Sequence, residues 1–226
     1  MQSLTKPPRP EFLFPLIRHL STRVSPFLAA TSLSANQITF ISLLFGLASA
    51  VVFSFGDYVW DLWGGVFLFI MYLLDHCDGE VARLKGQNSR FGTMFDTFVD
   101  WIAHVAIFIG LGIGSHFALG HDWMNMAGWI AAAGATINYV ISLYDDLKEG
   151  DASGKSGDEG DAPERPENWR EAILFAFREL ARADFWLIVL VLCIVDQVWY
   201  LLPFVAIGAH VYWITALFTR HKTYRV

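Results

Sequence analysis

From residue 36 to the C-terminal tail, apolar stretches alternate with short polar ones. Most approach the length needed to cross a bilayer, about 20 residues as helix. The pattern predicts an all-α polytopic membrane protein with six transmembrane helices, at about 36–55, 60–74, 90–114, 123–144, 184–201 and 203–218. The second span continues as helix through residues 75–84. Ser34 or Asn36 caps the first span. Ahead of the spans, Leu13, Leu16, Ile17, Leu20, Val24, Phe27 and Leu28 recur at helical spacing within residues 11–30, with Arg18, His19 and Arg23 between them. That spacing predicts an N-terminal amphipathic helix lying in the membrane interface. Residues 1–10 are polar and Pro-rich and are expected to be poorly ordered. The domain reading is therefore a tail and juxtamembrane helix at 1–30, then a six-helix domain at 31–226. Residues 145–168, rich in Gly, Asp, Glu and Pro without apolar periodicity, read as a flexible acidic loop. A helix over 169–183 should follow it.

Composition agrees with the pattern: 54% of the 226 residues are hydrophobic, with 19 Phe and 9 Trp. No clean apolar core precedes a small-residue cleavage site near the N-terminus, so no cleavable leader is expected. Cys77 and Cys193 read as buried free thiols. The net charge of −6 owes much to the 145–168 loop, and no nucleic-acid partner is expected. The distribution of basic residues says more. All 16 Lys and Arg lie before Val24, from Arg83 to Arg90, from Lys148 to Arg182, or in the tail after Thr219. With six spans these segments share one face, and the positive-inside rule makes that face cytoplasmic. Both termini then lie on the cytoplasmic side of the cytoplasmic membrane.

On that same face lies the candidate chemistry. Asp75 and Asp78 are spaced i, i+3, and Asp96 and Asp100 i, i+4, so each pair shares a helix face, about 5–6 Å apart at Cβ. Gly86-Gln87-Asn88-Ser89 breaks the chain between the pairs, and folding the two helices antiparallel brings all four carboxylates to one site. Such like charges repel and call for a counter-charge, typically a hard divalent cation with oxygen ligands. Acids in or beside membrane spans are costly and usually functional. Gly79, Ala82 and Gly92 are small residues on the same faces, leaving room for a substrate beside the backbone. Arg83 is a permanent cation suited to phosphate oxygens. Asn36 and Thr39 lie on one side of the first span, as capping and packing residues or facing substrate. His116 and His121 read as solvated histidines in the turn after the third span. The residues themselves point to metal-assisted transfer at a phosphate near the membrane surface. They do not name the nucleotide.

The run Asp75-x2-Asp78-Gly79-x2-Ala82-Arg83-x8-Gly92-x3-Asp96-x3-Asp100 resembles the signature of the CDP-alcohol phosphotransferases (CDP-alcohol phosphatidyltransferases), which are integral membrane enzymes. The resemblance implies transfer of a phosphate-linked alcohol from a CDP-alcohol to the hydroxyl of a second alcohol, releasing CMP. It implies Asp75, Asp78 and Asp96 as metal ligands, with Asp100 as general base that also touches a metal. Asp78, Gly79, Ala82, Arg83, Gly92, Asn36 and Thr39 would shape the CDP site, and Mg²⁺ (or Mn²⁺), two ions, would be the cofactor. Asn36-Gln37-Ile38-Thr39 is similar to the family's Pro-Asn-x-x-Thr helix start, with Ala35 in the Pro position. His104, one turn after Asp100, either assists the base, contacts the acceptor, or sits buried behind the site. Arg178 and Arg182, at i, i+4 beside Asp184, either bind an anionic acceptor or flank the membrane as headgroup-binding charge. The implied donor is CDP-diacylglycerol, and the implied pathway phospholipid biosynthesis. The alternative is a CDP-polyol of CDP-inositol type joined to an inositol phosphate. Homologues of the second kind carry a cytidylyltransferase domain, which tilts this sequence toward the first. The wording of residues 78–83 and 89–92 is similar to branches handling inositol phosphates. A homodimer is the implied assembly. A cation transporter using the same acids is the competing class, though such sites favour a midplane position between repeats.

Overall fold

The structure, a computed structural model, describes residues 15–148 and 184–223. Among these residues every regular element is helical. The order is α1 (Leu16–Ala29), α2 (Ala35–Phe53), α3 (Tyr58–Lys85), α4 (Arg90–Leu119), α5 (Asp122–Lys148), α6 (Phe185–Ile194), a 3-10 turn (Val198–Tyr200) and α7 (Leu201–Thr223). Among the described residues four helices, α2 to α5, are long and apolar enough to cross a membrane.

Local sequence sets the helix ends. Ser34 caps α2 in a reciprocal box: its hydroxyl accepts from Gln37 N, and the Gln37 side chain accepts from Ser34 N. The α3 helix starts at the carboxylate of Asp57, which accepts from Val59 N. It stops at Gly86, whose φ of 63° lets Gln87 N reach back to Ala82 O and Gly86 N to Arg83 O. Ser89 then caps α4 by accepting from Gly92 N at 3.0 Å. Only residues 86–89 separate α3 from α4, so the two run antiparallel with their charged ends together.

Small residues hold the long helices close. A methyl group on Gly110 would collide with Ala50 O, and one on Gly114 with Phe53 O. The α4 helix therefore lies nearly backbone to backbone on α2. One face over, Gly112 meets Gly128 of α5 in the same way. This is how helices associate where water supplies no hydrophobic drive. Phe53, Leu68, Met71 and Met124 fill the interior, while Phe40, Val51, Trp63, Met126, Phe204 and Ile207 face outward and exposed. Exposed Tyr58, Trp60, Trp63, Trp123 and Tyr200 gather at the end remote from Arg83, Lys85 and Arg90. An apolar exterior with aromatics at its edge suits lipid rather than water.

The N-terminal helix packs with its polar side inward. Ile17, Ser21 and Ser25 are buried against the C-terminal half of α3, whereas Phe27 is 76% exposed. Ser21 donates to buried Glu80 at 2.7 Å, and Lys85 Nζ reaches the carbonyls of Thr31 and Leu33 at the far end of the helix. At the near end, the carboxylate of Asp184 accepts from both Leu16 N and Ile17 N. The α6 helix rises along α3, with Trp186 on Phe69 at 4.7 Å between ring centroids and Cys193 at Gly65. Asp196, at φ 59°, and the 3-10 turn then reverse the chain into α7. That helix packs on α5, where Asn138 Nδ2 donates to Ala209 O and His210 Nε2 to Ile130 O.

Three expectations change in detail. Helix α5 extends through Lys148, so residues 145–148 of the expected loop are helical, the rest lying outside the described residues. His116 is within α4 rather than in the turn, half-buried, with Nδ1 3.4 Å from a carboxylate oxygen of Asp122. The stretch 184–201 is a ten-residue helix followed by a turn, because the chain takes a positive φ at Asp196. Cys77 and Cys193 are buried free thiols, as expected.

Candidate active site

The lower halves of α3 and α4, with the start of α2 across them, form one acidic site. Asp75 and Asp78 are a turn apart on α3, and Asp96 and Asp100 a turn apart on α4. Both helices pack on α2 and face each other across the site, so that Asp75, Asp78 and Asp96 each offer a carboxylate oxygen within 4.8 Å of the others. The carboxyl groups of Asp75 and Asp100 lie within hydrogen-bonding reach of each other, completing the set. Asp78 is buried and the other three half-buried.

Two oxygens reveal what the site requires. Asp75 Oδ1 and Asp96 Oδ1 are buried without a hydrogen-bond partner. Buried acceptors without partners are costly, and a cluster of them is more so. An all-oxygen set of this kind fits a hard divalent cation, which satisfies the idle lone pairs and offsets the mutual repulsion.

Neighbouring residues shape the approach. Thr39 is 3% exposed and donates its hydroxyl to Asp78 Oδ2 at 2.5 Å, fixing that carboxylate from α2. Gly79 opens toward free space: a methyl group there would meet only Arg83 Nη1, at 3.6 Å. Gly92 differs, because a methyl group on it would press Ser89 Oγ at 3.1 Å and Asn36 Oδ1 at 3.3 Å. Its smallness lets α2 and α4 meet at the mouth of the site, which brings Asn36 into the group. Ala82 is half-buried one turn beyond Asp78, and Arg83 is exposed beside Gly79. Gln87 accepts from Ala35 N at 2.9 Å and ties the α3–α4 connection to the start of α2.

His104 lies a turn deeper than Asp100, with both ring nitrogens engaged. Nδ1 donates to the main-chain carbonyl of Asp100 at 2.7 Å, and Nε2 lies 3.2 Å from the hydroxyl of Tyr72. Arg178 and Arg182 lie outside the described residues. Sequence reading passed over Tyr72, Glu80, Lys85 and Gln87. Tyr72 had a signal, being three residues before Asp75 and so on the acid face of α3.

The profile of the CDP-alcohol phosphatidyltransferase family matches residues 32–147, a stretch that contains α2 to α4, nearly all of α5 and all four acids. A bifunctional IPC transferase and DIPP synthase of Aquifex aeolicus is 35% identical over 132 residues, covering 57% of this chain and 28% of that protein. An archaetidylinositol phosphate synthase of Pyrococcus horikoshii is 28% identical over 100 residues, covering 44% and 52%. A phosphatidylinositol phosphate synthase of Mycobacteroides abscessus is 30% identical over 155 residues, covering 67% of each chain. The match thus spans about a quarter to two thirds of these relatives. The family is divalent-metal dependent, in keeping with the acid cluster. With four membrane-length apolar helices and a profile match over just over half its length, this integral membrane protein belongs to the CDP-alcohol phosphatidyltransferase family.

Proposed function

We propose that the protein transfers the phosphatidyl group of CDP-diacylglycerol to a hydroxyl of an inositol phosphate, releasing CMP. The observation that carries the reaction is the convergence of Asp75, Asp78, Asp96 and Asp100, with buried oxygens lacking partners, in the family's motif order. The relatives' names, inositol phosphate synthases among them, support the acceptor. In this reading Asp75, Asp78 and Asp96 would hold Mg²⁺ (or Mn²⁺), two ions, with Asp100 as a further ligand. The bound metal supplies positive charge against the pyrophosphate and the departing CMP. Asp100 takes the proton of the acceptor hydroxyl as its oxygen bonds to the phosphorus bearing the lipid. The bond from that phosphorus to the CMP oxygen breaks, and CMP leaves. Thr39 steadies Asp78, and Arg83 and Asn36 border the nucleotide, with Gly79 and Ala82 leaving space for it. Arg178 and Arg182 are assigned to the acceptor phosphate.

The membrane arrangement belongs to the same proposal. The stretch from Asp184 through the 3-10 turn, of which the ten-residue α6 covers only part, and α7 make the fifth and sixth crossings, α1 lies in the interface with Phe27 toward lipid, and the acids open to the cytoplasm. A second reading, a CDP-inositol-type donor joined to an inositol phosphate, is favoured by the 35% identity to the Aquifex protein.

The deciding experiment is CMP release by the purified protein in detergent with Mg²⁺ or chelator. CDP-diacylglycerol or CDP-inositol is offered with inositol 1-phosphate, inositol, serine or glycerol 3-phosphate, and Asp100→Asn is run in parallel. Metal-dependent release with inositol 1-phosphate, lost in the variant, supports the proposal. Turnover only with CDP-inositol moves the protein to the second reading, and no CMP from any donor overturns both.

A further inference from the structure

One turn below the acids, the polar lining of the site ends in a cross-bridge between α3 and α4. Tyr72 precedes Asp75 by three residues, and His104 follows Asp100 by four, so both lie on the acid faces of their helices. Their rings meet edge to face, 5.9 Å between centroids, with the Tyr72 hydroxyl 3.2 Å from His104 Nε2. Below them the layer is apolar: Leu68, Met71, Ala103 and Ile107 are all buried.

The proton positions follow from the partners. A carbonyl only accepts, so His104 Nδ1, 2.7 Å from Asp100 O, carries a hydrogen. In the neutral ring Nε2 is then bare and accepts from the Tyr72 O–H. The Tyr72 hydrogen is thus directed away from the carboxylates above it. Asp75 Oδ1 accordingly has no hydrogen-bond partner, although the hydroxyl of Tyr72 is close enough to Asp75 and Asp100 to feel their charge. His104 at the same time grips the main chain of Asp100.

We infer that Tyr72 and His104 are positioning residues for the transfer: together they fix the spacing of Asp75 and Asp100 across the two helices and hold the Tyr72 hydroxyl hydrogen away from both carboxylates. Neither touches the reacting atoms. The inference rests on the transferase reading of the site and assigns the pair no proton transfer. Without the bridge, Asp100 loses its register against Asp75, and the cost falls on turnover more than on donor binding, which relies on residues nearer the mouth.

Tyr72→Phe, His104→Ala and His104→Asn test this in the full-length protein. Asn at 104 keeps a donor within reach of Asp100 O and loses the link to Tyr72. The expected result for Tyr72→Phe is at least a fivefold fall in kcat with KM for the CDP donor within twofold. Mn²⁺ affinity, measured by electron paramagnetic resonance without substrate, should weaken at least threefold. His104→Asn should keep several times the kcat of His104→Ala, and the double variant Tyr72→Phe/His104→Ala should be no slower than His104→Ala alone. Unchanged kcat and Mn²⁺ affinity in Tyr72→Phe, or additive losses in the double variant, overturns the inference. An inactive wild-type protein would instead count against the transferase reading, and Mn²⁺ binding by the variants would still judge the bridge.

Discussion

The acid cluster should make the metal-free protein less stable than a variant that cannot work. Asp96→Asn removes one charge and keeps the shape of the side chain. In the structure, Asp96 brings an oxygen within 4.8 Å of oxygens from Asp75 and Asp78. Two unit charges at that separation repel by about 3.5 kcal/mol at an effective dielectric constant of about 20. Proton uptake by the cluster relieves part of this, so one neutral substitution should recover about one such pair rather than two. For a chain of this size, about 3 kcal/mol corresponds to a rise of about 6–12 °C in melting temperature. The assay is thermal unfolding in detergent, once in chelator and once in millimolar Mg²⁺. In chelator Asp96→Asn should melt higher than wild type. In Mg²⁺ the wild type should gain the stabilisation that binding to the folded state confers, and the order should narrow or reverse. CMP release should be lost in the variant throughout. A variant melting below wild type in chelator, or equal shifts of both proteins with Mg²⁺, would refute the picture of a repulsive cluster awaiting a cation.

Thr39→Val deletes the hydroxyl that donates to Asp78 while keeping volume. A hydrogen bond to a charged group is worth about 1.5–3 kcal/mol, so Mg²⁺-dependent activity should need at least tenfold more metal, read from a Mg²⁺ titration of CMP release. Gly114→Val forces a side chain into Phe53 O and should leave little folded protein by size-exclusion chromatography, whereas Gly79→Ala, facing open space, should fold normally. The same Gly79→Ala protein should show a raised KM for the CDP donor, since the space beside Arg83 is what the substrate would use. Lys85→Met releases the carbonyls of Thr31 and Leu33, and limited proteolysis between α1 and α2 should quicken severalfold with the acids undisturbed.

The parts of this fold visible in the chain are those governed by nearby residues. The acids converge because i, i+3 and i, i+4 spacing, a four-residue break and an antiparallel return leave little freedom. Ser34 and Gly86 announce helix ends through their own hydrogen bonding and φ. What escaped reading depends on distant partners. Apolar periodicity marked residues 11–30 as an amphipathic helix for the membrane interface but did not show what its polar side meets: Ser21 and Ser25 are buried, with Glu80 and Cys77 of α3 opposite. Asp184 looked like a neighbour of the basic pair at 178 and 182, and its carboxylate instead holds the start of a helix 168 residues earlier. The Tyr72–His104 bridge was half visible: each partner lies on the acid face, but only the pairing of the helices shows that they meet.

That carboxylate of Asp184 also sets an order of assembly during synthesis. Helices α2 to α4 can associate as soon as they leave the translocon, bringing the four acids together while the ribosome is still making α5. The first turn of α1 must wait, since the group that accepts from Leu16 N and Ile17 N arrives with the start of α6. Until then those amides have only water or headgroups to turn to. A nascent chain stalled before residue 184 would therefore hold a formed acid site beside an N-terminal helix anchored on α3 at Ser21 and Lys85 but open at its first turn, and the clasp that closes that turn is among the later parts made.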